Sequence, residues 1–244
     1  MNKQLDISLA FGSALQLLKN HLEIAVILLG LFLFVPLLAF ELLMVPPELV
    51  PGMAPEQTFT VLAGWFAGNW YWFLLLIAMT SIGPLALMLL ILDETHPTVG
   101  GALKKAAALF PLLMLTGLLQ GLAVGTGLFL LIVPGIYLAM KFYLTTPIIA
   151  AEQLRNPLEI LARSWALTKN NSLRIFALVM LAIIGGLVAM LAIGIVFNVI
   201  LFLSLPVETA TVISSIISQL TQTAFSGFIC FLSIAVYQQL ARSE

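Results

Sequence analysis

Lys141 is the one cation of the chain that lies inside a long apolar run. A buried ammonium there can neutralise a phosphate or carboxylate, turn to helix carbonyls, or pair with an acid such as Glu41. At ~1.5 Å per residue it stands on the order of 10 Å inside the outer end of its span, so it must face the interior of a bundle, face a wet cavity, or snorkel along its stem. Gln120, Asn198, Gln219 and Gln222 are uncharged polar residues of other apolar runs. Such amides commonly bond across helices, and Gln120 joins Lys141 as a candidate ligand contact. Arg163, Lys169 and Arg174, with Arg155, form the densest basic group. Beside a membrane each such cation gains about 1 kcal/mol from anionic lipid, which makes the first three candidate lipid contacts; plain retention of topology is the competing reading.

Other chemistry lacks its residues. No nucleophile stands with a base, no carboxylates are paired within an apolar run, and no glycine loop could cradle a phosphate, so an enzyme is not expected. His21 and His96 are far apart and no Cys/His/Asp/Glu cluster has ligand spacing, so neither a metal nor another cofactor is expected. Cys230, the single cysteine, sits in an apolar run and reads as packing. A net charge of −1 excludes a global basic field for nucleic acid.

The elements that must position these residues are membrane spans. Of 244 residues 61% are hydrophobic and 9% charged, and apolar runs repeatedly reach the ~20 residues that cross a bilayer. We read an all-α integral membrane protein with about six transmembrane helices: Ile24–Val45, Tyr71–Leu92, Pro111–Leu131, Pro134–Ala151, Ile175–Phe202 and Val212–Tyr237. Between the first two, Gln57–Asn69, rich in Trp and Phe, reads as interfacial or re-entrant. Spans three and four are separated by almost nothing polar, so a tight turn between Leu131 and Pro134 must join them. The first apolar run is too long for a cleaved signal, so it is expected to stay.

Lys3, Lys19, Lys104, Lys105, Arg155, Arg163, Lys169, Arg174 and Arg242 all fall in loops or tails on one side, and the opposite loops carry Glu48, Glu56 and Glu208 without a cation. Both termini are therefore expected in the cytoplasm. Leu5–His21, Thr98–Phe110 and Pro157–Ser172 each keep one apolar helical face and lead into a span, with Trp165 an anchor at headgroup level. The spans read as three hairpins, each preceded by a cytoplasmic amphipathic elbow helix, in a single membrane domain, 1–244, with possible repeat units 1–94, 95–154 and 155–244. Gly117, Gly121 and Gly125 share one face of span three and predict close approach of another helix, of this chain by preference or of a second copy. Gly185, Gly186 and Gly194 permit similar contact or bending in span five. Pro147 removes a backbone bond in span four and marks a hinge or a static kink.

The run Pro134-Gly135-Ile136-Tyr137-Leu138-Ala139-Met140-Lys141, with Pro147, Glu152 and Ala162-Arg163-Ser164-Trp165-Ala166-Leu167-Thr168, resembles the membrane domain found with some bacterial glycerophosphodiester phosphodiesterases. It is also similar to the YciC family of bacterial inner-membrane proteins. Lys141 and Asn170 depart from the pattern, where such domains carry Arg and commonly Gly. The phosphodiesterase activity belongs to a separate soluble domain and is not carried over. The resemblance implies a multi-pass protein of the bacterial inner (cytoplasmic) membrane, serving envelope maintenance by handling or transporting lipid or another amphiphile. The alternative is a non-transporting scaffold or assembly factor. The partners implied are membrane lipids, anionic ones included, and a membrane-protein partner or second copy; nucleic acid is not among them.

Overall fold

Asp6, Thr98 and Asn156 each open a helix in the same way, their side-chain oxygens accepting N–H groups of the first turn from Leu9, Gly101 and Leu158 at 3.0, 3.2 and 3.0 Å. In this computed structural model, which describes residues 4–241, the elements are α1 (Ile7–Asn20), α2 (Leu22–Leu29), α3 (Val35–Leu43), α4 (Pro55–Leu92), α5 (Val99–Leu130), α6 (Ile132–Lys141), α7 (Thr145–Glu152), α8 (Pro157–Leu167), α9 (Ser172–Ser204) and α10 (Val207–Ala241). Six helical stretches are long and apolar enough to cross a membrane: Leu22–Leu43, Pro55–Leu92, Val99–Leu130, Ile132–Glu152, Ser172–Ser204 and Val207–Ala241. Lys3 and Arg242, used above for orientation, lie outside the described residues.

Four features depart from the sequence expectation. The first span carries a π-helical turn, Gly30–Phe34, just before Pro36. A proline cannot donate to the carbonyl four residues back and clashes with it, and a wider turn accommodates both problems. Gln57–Asn69 is not a separate interfacial piece but the first third of the unbroken α4. Thr58, Thr60 and Asn69 return side-chain hydrogens to carbonyls one turn back, so its polar residues are satisfied within the helix. The elbow at Thr98–Phe110 continues through Pro111 into span three as one helix. Span four, in contrast, is broken: α6 ends at Lys141 and α7 starts at Thr145. Pro147 is therefore in a first helical turn, where its missing N–H has no helical partner to lose.

Consecutive spans meet at glycines. A Cβ on Gly83 of α4 would lie 2.4 Å from Phe32; one on Gly127 of α5 would lie 2.9 Å from the Gly135 Cα; one on Gly186 of α9 would lie 2.1 Å from the Phe225 ring. Each crossing is thus closer than a side chain would allow. The Gly117, Gly121 and Gly125 face is different: a Cβ on any of them meets nothing within 4 Å, so among the described residues no helix makes the expected close approach there. The reason lies in the α5–α6 turn, whose close approach falls on Gly127, off that stripe.

The buried core gathers at the end that bears the loop cations. It includes Leu5, Ala14 and Leu28, the Leu85–Leu89 stretch of α4, Ile175 and Leu178 of α9 and the Phe231–Val236 stretch of α10. The opposite end presents apolar side chains outward, Phe129 at 90% and Leu203 at 83% exposure, as helices facing acyl chains can. At the buried end, Asp93 forms an ion pair with Lys105 and accepts from the Thr95 N–H and hydroxyl at 3.0 and 2.9 Å. Burial raises the Asp93 pKa, but the Lys105 hydrogen bond and the Thr95 donors outweigh it and hold the carboxyl below its usual value.

Candidate functional site

Span four breaks where the resemblance motif ends. The Lys141 carbonyl, left without a helical donor by the break, accepts from Ser164 and Thr168 of α8 at 2.8 and 3.2 Å. The Lys141 side chain follows the same contact. It is 3% exposed, with Nζ 3.4 Å from the Thr168 carbonyl, 5.4 Å from the centre of the Tyr137 ring and 5.2 Å from that of Trp165. Both rings offer their negative faces to the ammonium. Among the described residues no carboxylate forms an ion pair with it; Glu41 instead accepts from the Gln219 amide.

Lys141 lines an open cleft of about 650 Å³, with Tyr137, Trp165, Lys169, Asn170, Ser172 and Leu173. The first turn of α9 contributes to the wall, and its N-cap residue, Asn171, makes no side-chain cap. The Asn171 Oδ1 accepts from the Leu5 N–H at 2.8 Å instead. The start of a 33-residue helix therefore adds its uncapped N–H groups and positive dipole end beside two lysines. Asn170 shapes the rim with φ +65°, a left-handed conformation that glycine adopts freely and asparagine tolerates better than most. In chemical terms the cleft suits an anion with an apolar or aromatic flank.

The remaining sequence candidates separate. Lys169 stands with Lys141 in the cleft. Arg163 is engaged elsewhere: its Nε lies 3.1 and 2.9 Å from the two Glu152 oxygens, and the Tyr237 hydroxyl donates to the same carboxylate at 3.0 Å. Arg174 holds the N-terminal segment, donating to the Leu5 carbonyl at 2.9 Å and to Gln4. Gln120 accepts from the Thr145 hydroxyl at 2.9 Å, tying α5 to the start of α7. Asn198 accepts from Ser214 at 2.6 Å, again across helices. Gly135 and Trp165 hold structural places, the first at the α5 crossing and the second against Phe142 and Tyr137; Pro134 lies in the first turn of α6.

Sequence reading missed the work of Tyr137, Ser164 and Asn171. The signal for the first two was spacing, since Tyr137/Lys141, Ser164/Thr168 and Trp165/Lys169 are each one helical turn apart. Asn171 gave none, because its partner is 166 residues away. Asn171→Ala is expected to leave the buried Leu5 N–H unpaired, lowering stability by about 1–3 kcal/mol. Faster hydrogen exchange at Leu5 and along α1, with α6 unchanged, is the result that checks it.

No curated protein and no solved structure matches the chain. A family model does match, over residues 53–240, from just before α4 to the last turn of α10. Those residues hold the cleft, the break in span four and five of the six apolar stretches. The chain belongs to the family described as Domain of unknown function (DUF7847).

Proposed function

We propose that this chain is an amphiphile-handling protein of a bacterial inner membrane, similar in kind to the YciC proteins, which takes the anionic headgroup of a lipid in the Lys141 cleft. The observation that carries the reading is a lysine almost wholly withdrawn from solvent with a weak carbonyl contact and no acid partner among the described residues. Such a charge is costly to keep unless something anionic completes it. Lys169, the uncapped start of α9 and the exposed Trp165 and Leu173 on the rim favour a headgroup at the membrane surface. Nothing in this arrangement calls for catalysis. The three polar-capped helix starts and the three glycine crossings support the reading of the chain as three elbow-and-hairpin units. The grouping of loop cations supports cytoplasmic termini.

The test is native mass spectrometry of the full chain in mild detergent with added phosphatidylglycerol or phosphatidylcholine. Retention of phosphatidylglycerol is expected to fall roughly fivefold in Lys141→Ala, the worth of ~1 kcal/mol per cation, with phosphatidylcholine unaffected. Equal retention by both proteins overturns the reading. A second reading, a non-transporting scaffold, is favoured by the open glycine face of α5. It leaves lipid retention independent of Lys141, so the same measurement separates the two.

A further inference from the structure

The break between α6 and α7 serves a second space. Tyr143, two residues beyond Lys141, lines a cleft of about 430 Å³ among α4, α5, α7 and α10. Its walls are mostly apolar, with Pro84, Met88, Leu113, Met114 and Ile229, and its polar groups are hydroxyls and the Cys230 thiol; no charged side chain lines it. Thr80 and Ser233 return their hydroxyl hydrogens to the carbonyls of Leu76 and Cys230 at 2.7 and 2.8 Å. The Tyr143 hydroxyl does not: it is buried and has no hydrogen-bond partner among the described residues. Unpaired buried phenols are rare in native structures, because the lost hydration is not replaced. Gly117 opens the cleft further, since a Cβ there meets nothing within 4 Å. The first glycine of the α5 stripe thus faces a space rather than a helix.

We propose that this cleft binds the uncharged ester region of a diacyl lipid, the Tyr143 hydroxyl donating to an ester carbonyl while the apolar walls hold the adjoining methylenes. The occupant must supply an acceptor to a buried donor, and it must be uncharged there, because no ion lining the cleft compensates a phosphate or a free carboxylate. Water can pair with the hydroxyls, but it gains nothing against the apolar Met88, Leu113, Met114 and Ile229 walls that methylenes would cover. The cleft opens between helices that cross the membrane, where ester lipids are the available acceptors, and Met88 and Met114 adapt to acyl chains of differing shape. The site rests on the amphiphile reading above only for its membrane setting, and it stands or falls without Lys141.

The experiment measures displacement of a fluorescent diacylglycerol from the full chain in detergent by dioleoylglycerol and by its dioleyl ether analogue, which has no carbonyls. The ester is expected to compete roughly fivefold better, the worth of one ordinary hydrogen bond. Tyr143→Phe, which removes only the unpaired hydroxyl, abolishes that preference, and Gly117→Leu fills the cleft and weakens both competitors. Lys141→Ala leaves both unchanged, while its effect on phosphatidylglycerol tests the headgroup cleft separately. No displaceable binding by the native protein, equal competition by ester and ether, or an ester preference that survives Tyr143→Phe overturns the proposal.

Discussion

Gly135→Ala is expected to lower the stability of the protein in detergent by about 3 kcal/mol, at or above the usual range for inserting a methyl group into a packed contact. The added Cβ would lie 2.3 Å from Leu128 Cγ and 2.6 Å from the Leu128 backbone nitrogen. The side chain could rotate away, but the backbone nitrogen can retreat only by opening the α5–α6 turn, and the neighbouring Gly127 packs on Gly135 so closely that a Cβ there would lie 2.9 Å from the Gly135 Cα. Thermal unfolding followed by size-exclusion chromatography reads the effect. Gly121→Ala is the control, because its Cβ meets open space and alanine is the better helix former. Equal midpoints for the two variants would remove the glycine-crossing account of this hairpin.

Lys105→Met carries the second large effect. The Asp93 side chain is 1% exposed and Lys105 31% exposed, so removing the cation strands a buried carboxylate on the two Thr95 donors. Breaking a fully buried pair costs ~3–5 kcal/mol. Because solvent screens Lys105, about 2–3 kcal/mol is the expected loss at neutral pH. Asp93→Asn in the same chain should recover part of it, since a neutral amide needs no counter-ion.

The pH dependence is expected to be weaker without Lys105. In the native chain the Asp93 pKa is lowered, so its contribution is present above the ordinary carboxylate pKa and is lost as pH falls through the folded value. With Lys105 gone, burial, which raises the Asp93 pKa, is opposed only by the two Thr95 donors, so the folded pKa rises from its native, lowered value. Less stability is then lost on acidification, and the deficit of Lys105→Met narrows as pH drops below the carboxylate range. Unfolding midpoints of both proteins across acid pH check this, and parallel curves would count against the ion pair.

These two sites also show why the bundle is built unevenly. Both lie at or near crossings that need close geometry, one a backbone contact and the other a charge pair. The outer halves of α4, α9 and α10 carry Leu, Ile, Val and Phe toward lipid instead, where association gains little from the hydrophobic effect. Stability is therefore concentrated at the cation-bearing end. The Lys141 cleft and the Tyr143 cleft flank the break in span four, where irregular backbone is tolerated because it lines space or protein rather than lipid.

What the sequence by itself determined is what acts over short separations. Apolar runs of spanning length and the single apolar faces of the elbow segments are visible because helices couple residues three and four apart. The tight turn between spans three and four was legible from the near-absence of residues between the two apolar runs, and Leu131 alone separates α5 from α6; the oddity of a lysine in an apolar run was legible too. The continuity of α4 through Gln57–Asn69 was obscured because its Trp, Asn and Thr residues resemble an interface, while the Thr60 and Asn69 hydrogens return to their own helix and the Trp65 indole donates to the Val45 carbonyl before it. Tertiary structure alone decided the rest. That Lys141 meets Trp165 and Thr168 instead of Glu41, that Arg174 grips Leu5 across 169 residues of separation, and that the α5 glycines face open space depend on how helices cross. Those crossings are selected by shape at a few glycines and by pairing of buried polar groups, and neither leaves a period in the sequence to be read.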